Sequence, residues 1–200
     1  VVVAGAGEEA IGNAGTIIVD TENLRIQEAK ISVATMGKGN AGDLIIFARS
    51  LKLQDQGKMS AQTEGKATGA AGTITINAET INLGNQAKIT VRATNKKSAG
   101  DLIINSNNIR LENQAELIAE TEGGEGNITI NNNKDLILGD NSKITTNATG
   151  TATGGNITIN TENLVAPDNS DISANAEQAS GGRVNITAAG IFGTEFRPDQ

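Results

Sequence analysis

Apolar and polar residues alternate in short bursts along this chain, and the bursts recur. The word G-x-[ILV]-x-[IV] occurs as GTIIV from Gly15, GDLII from Gly42, GTITI from Gly72 and GDLII from Gly100. It returns as GNITI from Gly126, GNITI from Gly155 and GRVNI from Gly182. The intervals are 27, 30, 28, 26, 29 and 27 residues, so seven copies hold a period of about 28. A second alternation follows nine residues after each Gly, as in Leu24-x-Ile26, Leu51-x-Leu53, Ile81-x-Leu83 and Ile109-x-Leu111. In one repeat, Leu136-x-Leu138, it comes ten residues on; it weakens to Leu164-x-Ala166. A third follows sixteen to eighteen residues after the Gly: Ile31-x-Val33, Met59-x-Ala61, Ile89-x-Val91, Leu117-x-Ala119, Ile144-x-Thr146 and Ile172-x-Ala174.

Period two with β-branched residues predicts strands, three short ones per repeat, with nothing helical between them. Parallel strands need a long connection, and here the rest of the coil supplies it. The expected fold is therefore all-β: a parallel β-helix, with coils starting at 15, 42, 72, 100, 126, 155 and 182. Crossover chirality predicts the right hand. A left-handed β-helix of hexapeptides would show a coil of ~18 residues, and no hexapeptide period is present. A leucine-rich repeat has a compatible period but needs Leu at more positions. Most of the length variation falls between the third strand and the next Gly, which predicts one variable loop.

The first twelve residues, VVVAGAGEEAIG, carry a G-x-G-x-x-A spacing like that of a dinucleotide fingerprint. A fingerprint needs a helix after the glycines, but Gly12-Asn13-Ala14-Gly15 ends any helix within about a turn. Asp20 also comes too early for a ribose acid. Residues 1–14 match instead ISVATMGKGNAG, the segment before Gly42, and are expected to be the tail of a preceding coil. Residues 1–200 thus read as one β-helix segment cut at both ends, expected to associate or fray there.

Composition narrows the chemistry. The chain of 200 residues has no Cys, His, Trp or Tyr, and only three Phe, at 47, 192 and 196. That removes thiol nucleophiles, imidazole bases, disulfides, metal sites built on either group, and most base-stacking platforms. The net charge of −7 argues against nucleic acid and anionic membranes as partners.

In a β-helix, equivalent positions stack at about 4.8 Å, so a column of residues is a physical object. After the first strand stand Asp20, Phe47, Asn77, Asn105, Asn131, Asn160 and Thr187. Four consecutive Asn predict an amide ladder; the functional alternative is a groove for a polar ligand. After the second strand stand Glu28, Asp55, Asn85, Asn113, Asp140 and Asp168, residues that favour tight, left-handed turns. A carboxylate row for calcium is the alternative there. The calcium nonapeptide fails, since Gly123-Gly124-Glu125-Gly126-Asn127 is followed by Ile128. Before the third strand, Lys30, Lys58, Lys88, Glu116, Lys143 and Asp171 make an outward charged stripe, which reads as a solvated face or a site for an acidic glycan. Thr75, Thr129 and Thr158 could form an ice-binding rank, but Ile18, Ile45 and Ile103 interrupt it.

A polysaccharide lyase or hydrolase would need converging carboxylates. Asp43 and Asp101 share a column but lie two coils apart, roughly 9.6 Å, with Thr73 between them. No catalytic, cofactor-binding or metal residue is assigned, and the chain is read as a non-enzyme.

The G-[DNT]-[LI]-[IT]-I word, the A-K-I-[ST] third strand and the Gly-Asn-Ala-Gly loop resemble the shafts of filamentous haemagglutinin-like exoproteins, the secreted partners of bacterial two-partner secretion. Ser170–Ala174 and Ala189-Gly190-Ile191-Phe192-Gly193 with Arg197-Pro198 are similar to recurring words of that family. The resemblance spans nearly the whole chain. It implies a structural and adhesive shaft, export through an outer-membrane β-barrel transporter, a secreted or cell-surface location and an unidentified surface or glycan receptor. A polysaccharide-active enzyme, or a calcium- or glycan-binding module, is the alternative.

Overall fold

The structure is a computed structural model that describes residues 1–97, 99–167 and 169–193. It is built from strands joined by turns and loops, with no helix among the described residues. One parallel sheet contains β1 (Val2–Ala6), β3 (Lys30–Thr35), β5 (Lys58–Thr63), β7 (Lys88–Ala93), β9 (Glu116–Thr121), β12 (Lys143–Ala148) and β14 (Asp171–Ala176), in that order. The other contains β2 (Ile17–Gln27), β4 (Leu44–Gln54), β6 (Ile74–Leu83), β8 (Leu102–Leu111), β10 (Ile128–Asn132), β11 (Asp135–Leu138), β13 (Ile157–Val165) and β15 (Val184–Phe192). Each strand pairs with its counterpart one repeat away, as Ile74↔Leu102 and Ile89↔Leu117 illustrate. The chain is thus a parallel solenoid of about seven turns of ~28 residues. β1 pairs with β3, so residues 2–6 lie in the third-strand sheet, and no helix follows Gly7.

The strand count per coil differs from the expectation. The first and second alternations run on as one strand of nine to eleven residues in six coils. The reason is a phase slip rather than a turn. In β6, Ile74, Ile76 and Ala78 are buried, then Ile81 and Leu83, so Glu79 and Thr80 both face away from the core. The pairing passes from Ala78↔Ser106 to Thr80↔Asn108 and skips Glu79 and Asn107. One skipped pair bends the strand into a corner while leaving the ladder continuous on both sides. Corner hydroxyls hold the bend. Ser106 Oγ lies 3.2 Å from the Glu79 carbonyl and 3.1 Å from that of Asn108. Thr161 Oγ1 does the same with Lys134 and Asn163, at 2.8 and 3.1 Å. The ten-residue spacing at Leu136 inserts one residue at this corner, and there the strand breaks into β10 and β11.

The apolar positions of all three alternations meet in one core. Leu44, Ile46, Leu53, Met59, Ile74, Leu102, Ile104, Leu117, Ile130 and Leu138 are fully buried. A third inward column, Ala48, Ala78, Ser106, Asn132 and Thr161, fills the corner with small or polar side chains. Burying one large apolar side chain is worth about 1.5–3 kcal/mol, and each coil covers the apolar faces of its neighbours.

Five of the seven repeat-word glycines, at 42, 72, 100, 155 and 182, have a steric origin in the stacked loop backbone. A Cβ at Gly72 would lie 1.9 Å from the Gly42 carbonyl oxygen, and one at Gly155 would lie 1.8 Å from that of Gly126. The loop backbones stack too closely at this column to admit a side chain.

Candidate functional site

The outward columns are where chemistry can reside, and the register brings each together as expected. Asn77, Asn105, Asn131 and Asn160 form a continuous amide ladder. Asn105 Nδ2 donates to Asn77 Oδ1 at 2.9 Å, Asn131 Nδ2 to Asn105 Oδ1 at 3.0 Å, and Asn160 Nδ2 to Asn131 Oδ1 at 3.0 Å. Phe47, one register step before Asn77, stands in the same column and is 45% exposed.

The turn column is left-handed along its described length. Glu28, Asp55, Asn85, Asn113 and Asp140 have φ between 49° and 54°. Gln56, Gln86, Gln114 and Asn141, the next residue of four of these turns, are also positive. Short polar side chains tolerate this conformation, and they also stack. Gln27 Nε2 and Asn85 Nδ2 both donate to the Asp55 carboxylate, at 2.7 and 2.8 Å, and Asn113 Nδ2 donates to Asn85 Oδ1 at 3.1 Å. The Asp55 carboxylate is therefore engaged by amides of both neighbouring coils. Asp168 lies outside the described residues. Among the described residues no group of three or more His, Cys, Asp or Glu is placed to hold a metal ion.

In the charged stripe, Lys30, Lys58, Lys88 and Glu116 stand in register. Lys88 Nζ pairs with Glu116 at 2.6 Å, and Arg92 pairs with Glu120 at 3.2 Å. Burial, together with the like charges of Lys30, Lys88 and Arg92, holds the Lys58 ammonium below the usual lysine range. Between the Lys column and the Ala34–Gln62–Arg92 column lies a buried hydroxyl pair, Ser32 and Ser60, 2.9 Å apart. Arg110 hydrogen-bonds Glu112 and depresses its carboxyl pKa.

Asp43 and Asp101 do not converge on a common point. Asp43 Oδ1 accepts the Thr73 N–H at 2.8 Å. Asp101 Oδ1 accepts the Asn127 N–H at 3.2 Å and Nδ2 at 3.0 Å. Asn127 and Asn156 continue the pattern, each accepting the backbone N–H of the residue one coil on, Asn156 and Arg183. This column caps the next coil's backbone. Thr75, Thr129 and Thr158 stand in one outward column, with Ile103 between the first two.

One feature escaped the sequence reading. The corner column Glu79–Asn107–Asn133 runs beside the Asn ladder, and Asn133 Nδ2 donates to Asn107 Oδ1 at 2.9 Å. Between the two columns lies an open groove of about 440 Å³, floored by Ala48, Ala78 and Ser106. Its signal was the pair of successive outward positions, such as Glu79-Thr80, between two alternations of opposite phase.

The chain matches no family model, no curated protein and no solved structure.

Proposed function

We propose that this chain is a shaft segment of a large secreted or cell-surface bacterial exoprotein, structural and adhesive rather than catalytic. The observation that carries the reading is the unbroken repeat. Seven copies of one word stack in register, and the polar columns spend hydrogen bonds on neighbouring coils. Such a solenoid transmits position along an axis, which suits a protein that must hold a contact surface away from a cell. The words G-[DNT]-[LI]-[IT]-I and A-K-I-[ST] resemble those of filamentous haemagglutinin-like exoproteins and favour export through a β-barrel transporter of the outer membrane.

The test uses an antibody raised against this chain. On intact cells of the bacterium that makes the parent protein, the antibody should label the surface or the medium, and external protease should remove the surface signal. Loss of the partner transporter should abolish both signals. Parent protein detected only after lysis, and protected from external protease, would overturn the proposal.

A further inference from the structure

We infer that the groove between the two asparagine columns binds a linear, neutral polysaccharide lying along the solenoid axis. The inference does not depend on export or surface display; it rests on hydrogen-bonding capacity and shape. A side-chain amide offers two N–H donors and two acceptor lone pairs. The ladder uses one of each at Asn105, through Asn77 and Asn131. At Asn131 it again uses one of each, through Asn105 and Asn160. One donor and one acceptor per coil are left over. Across the groove, Asn107 and Asn133 share one hydrogen bond and keep the rest of their capacity. Two parallel rows of unspent donors and acceptors, repeating at about 4.8 Å, complement a polymer of hydroxyl groups, each of which donates and accepts.

The remaining features select neutral over charged glycans. Among the groove-lining residues Glu79 is the sole charged side chain, and it repels anions. Apolar surface lies at the end of the ladder, although Asp20 takes the ladder column one coil before Phe47. Phe47 continues the Asn column one step beyond Asn77 with 45% of its surface exposed, and Ile18, two residues from Asp20 on the same outward face, is 64% exposed. The core has no use for either. A flat apolar face beside convergent amides is the chemistry that receives the C–H face and the hydroxyl edge of a sugar ring.

The experiment titrates the 200-residue chain, labelled with ¹⁵N, with hexasaccharides of β-1,4-linked glucose, xylose and N-acetylglucosamine. A galacturonate hexamer is the charged comparison. At least one neutral hexamer should move the side-chain amide signals of Asn105, Asn131 and Asn133 saturably. Phe47→Ala should weaken that binding about tenfold, or ~1.4 kcal/mol. Phe47 is exposed, so the backbone spectrum should stay folded; Asn133→Ala, on the opposite wall, gives an independent second loss. The inference is overturned if no neutral hexamer gives a saturable shift by about 10 mM, a limit near 3 kcal/mol of binding. It is equally overturned if neither variant weakens binding. A third contrary result is the galacturonate hexamer binding more tightly and shifting only residues around Lys58.

Discussion

Replacing Gly72 by alanine tests how closely the coils stack. The added Cβ would sit 1.9 Å from the Gly42 carbonyl oxygen and 2.7 Å from the Gly42 carbonyl carbon. Ordinary contact begins near 3.4 Å, so the two backbones must part by about 1.5 Å. Both are held by the ladder on either side: Leu44 N–H bonds the Thr73 carbonyl at 2.9 Å, and Ala41 N–H bonds that of Ala70 at 2.9 Å. A shift of that size stretches both bonds past useful length. Overpacking costs about 1–3 kcal/mol and each of the two lost backbone bonds about 0.5–1.5, which gives a loss of roughly 2–6 kcal/mol. In a chain of this size about 1 kcal/mol moves Tm by ~2–4 °C, so a fall of roughly 4–24 °C is expected. Gly84→Ala is the control, because a Cβ there meets nothing within 4 Å. Urea unfolding and thermal melts, followed by circular dichroism, give both values. A Gly72→Ala protein within about 1 kcal/mol of the parent would refute close stacking as the reason for the glycine column.

Ile104→Ala, at a fully buried position, should cost ~2–5 kcal/mol in the same assay; a loss under 1 kcal/mol would place Ile104 outside the core. Asn105→Ala removes two half-exposed amide bonds and should cost about 1 kcal/mol, whereas Asn113→Ala also forces alanine to a φ of 51° and should cost about 1 kcal/mol more, most of it recovered by Asn113→Gly. Equal losses at Asn105 and Asn113 would remove the left-handed turn from the explanation. Lys58 binds its proton less tightly in the folded state than in the unfolded chain, so its charge is a penalty at neutral pH. Stability should therefore rise as pH climbs through the lowered folded pKa toward the ordinary lysine range. Lys58→Gln should flatten that rise and raise the neutral-pH unfolding free energy by under ~1 kcal/mol, less in high salt, and an unchanged pH profile would contradict the assignment.

The repeat, the register and most columns were legible because each is a local pattern copied seven times. Asn77, Asn105 and Asn131 announce a ladder once the period is known, and Asp55, Asn85 and Asn113 announce a left-handed turn by their chemistry. The corner was not legible. Ala78 and Ser106 look like ordinary polar-side residues between two apolar alternations, and only the skipped pair at Glu79 and Asn107 shows that the chain bends there without leaving the sheet. The groove was hidden for the same reason: its walls are the outward residues on either side of that bend, Asn77 and Glu79, which belong to different readings of the sequence. The roles of Asp43 and Asp101 were hidden differently, because their partners are backbone N–H groups of the next coil, which a sequence does not display.

The solenoid stands or falls on its register, and oxidative crosslinking reads it directly in a chain with no cysteine of its own. Thr75 and Ile103 are paired in adjacent strands and share the outward face, at a Cα separation of about 4.8 Å that lies within disulfide range. Thr75→Cys/Ile103→Cys should form an intramolecular disulfide rapidly while the protein stays folded. Thr75→Cys/Ile104→Cys, slipped by one residue so that the second thiol points into the core, should not. Crosslinking of the slipped pair in preference to the first, or of neither in a folded chain, would contradict the stacking of coils about 28 residues apart.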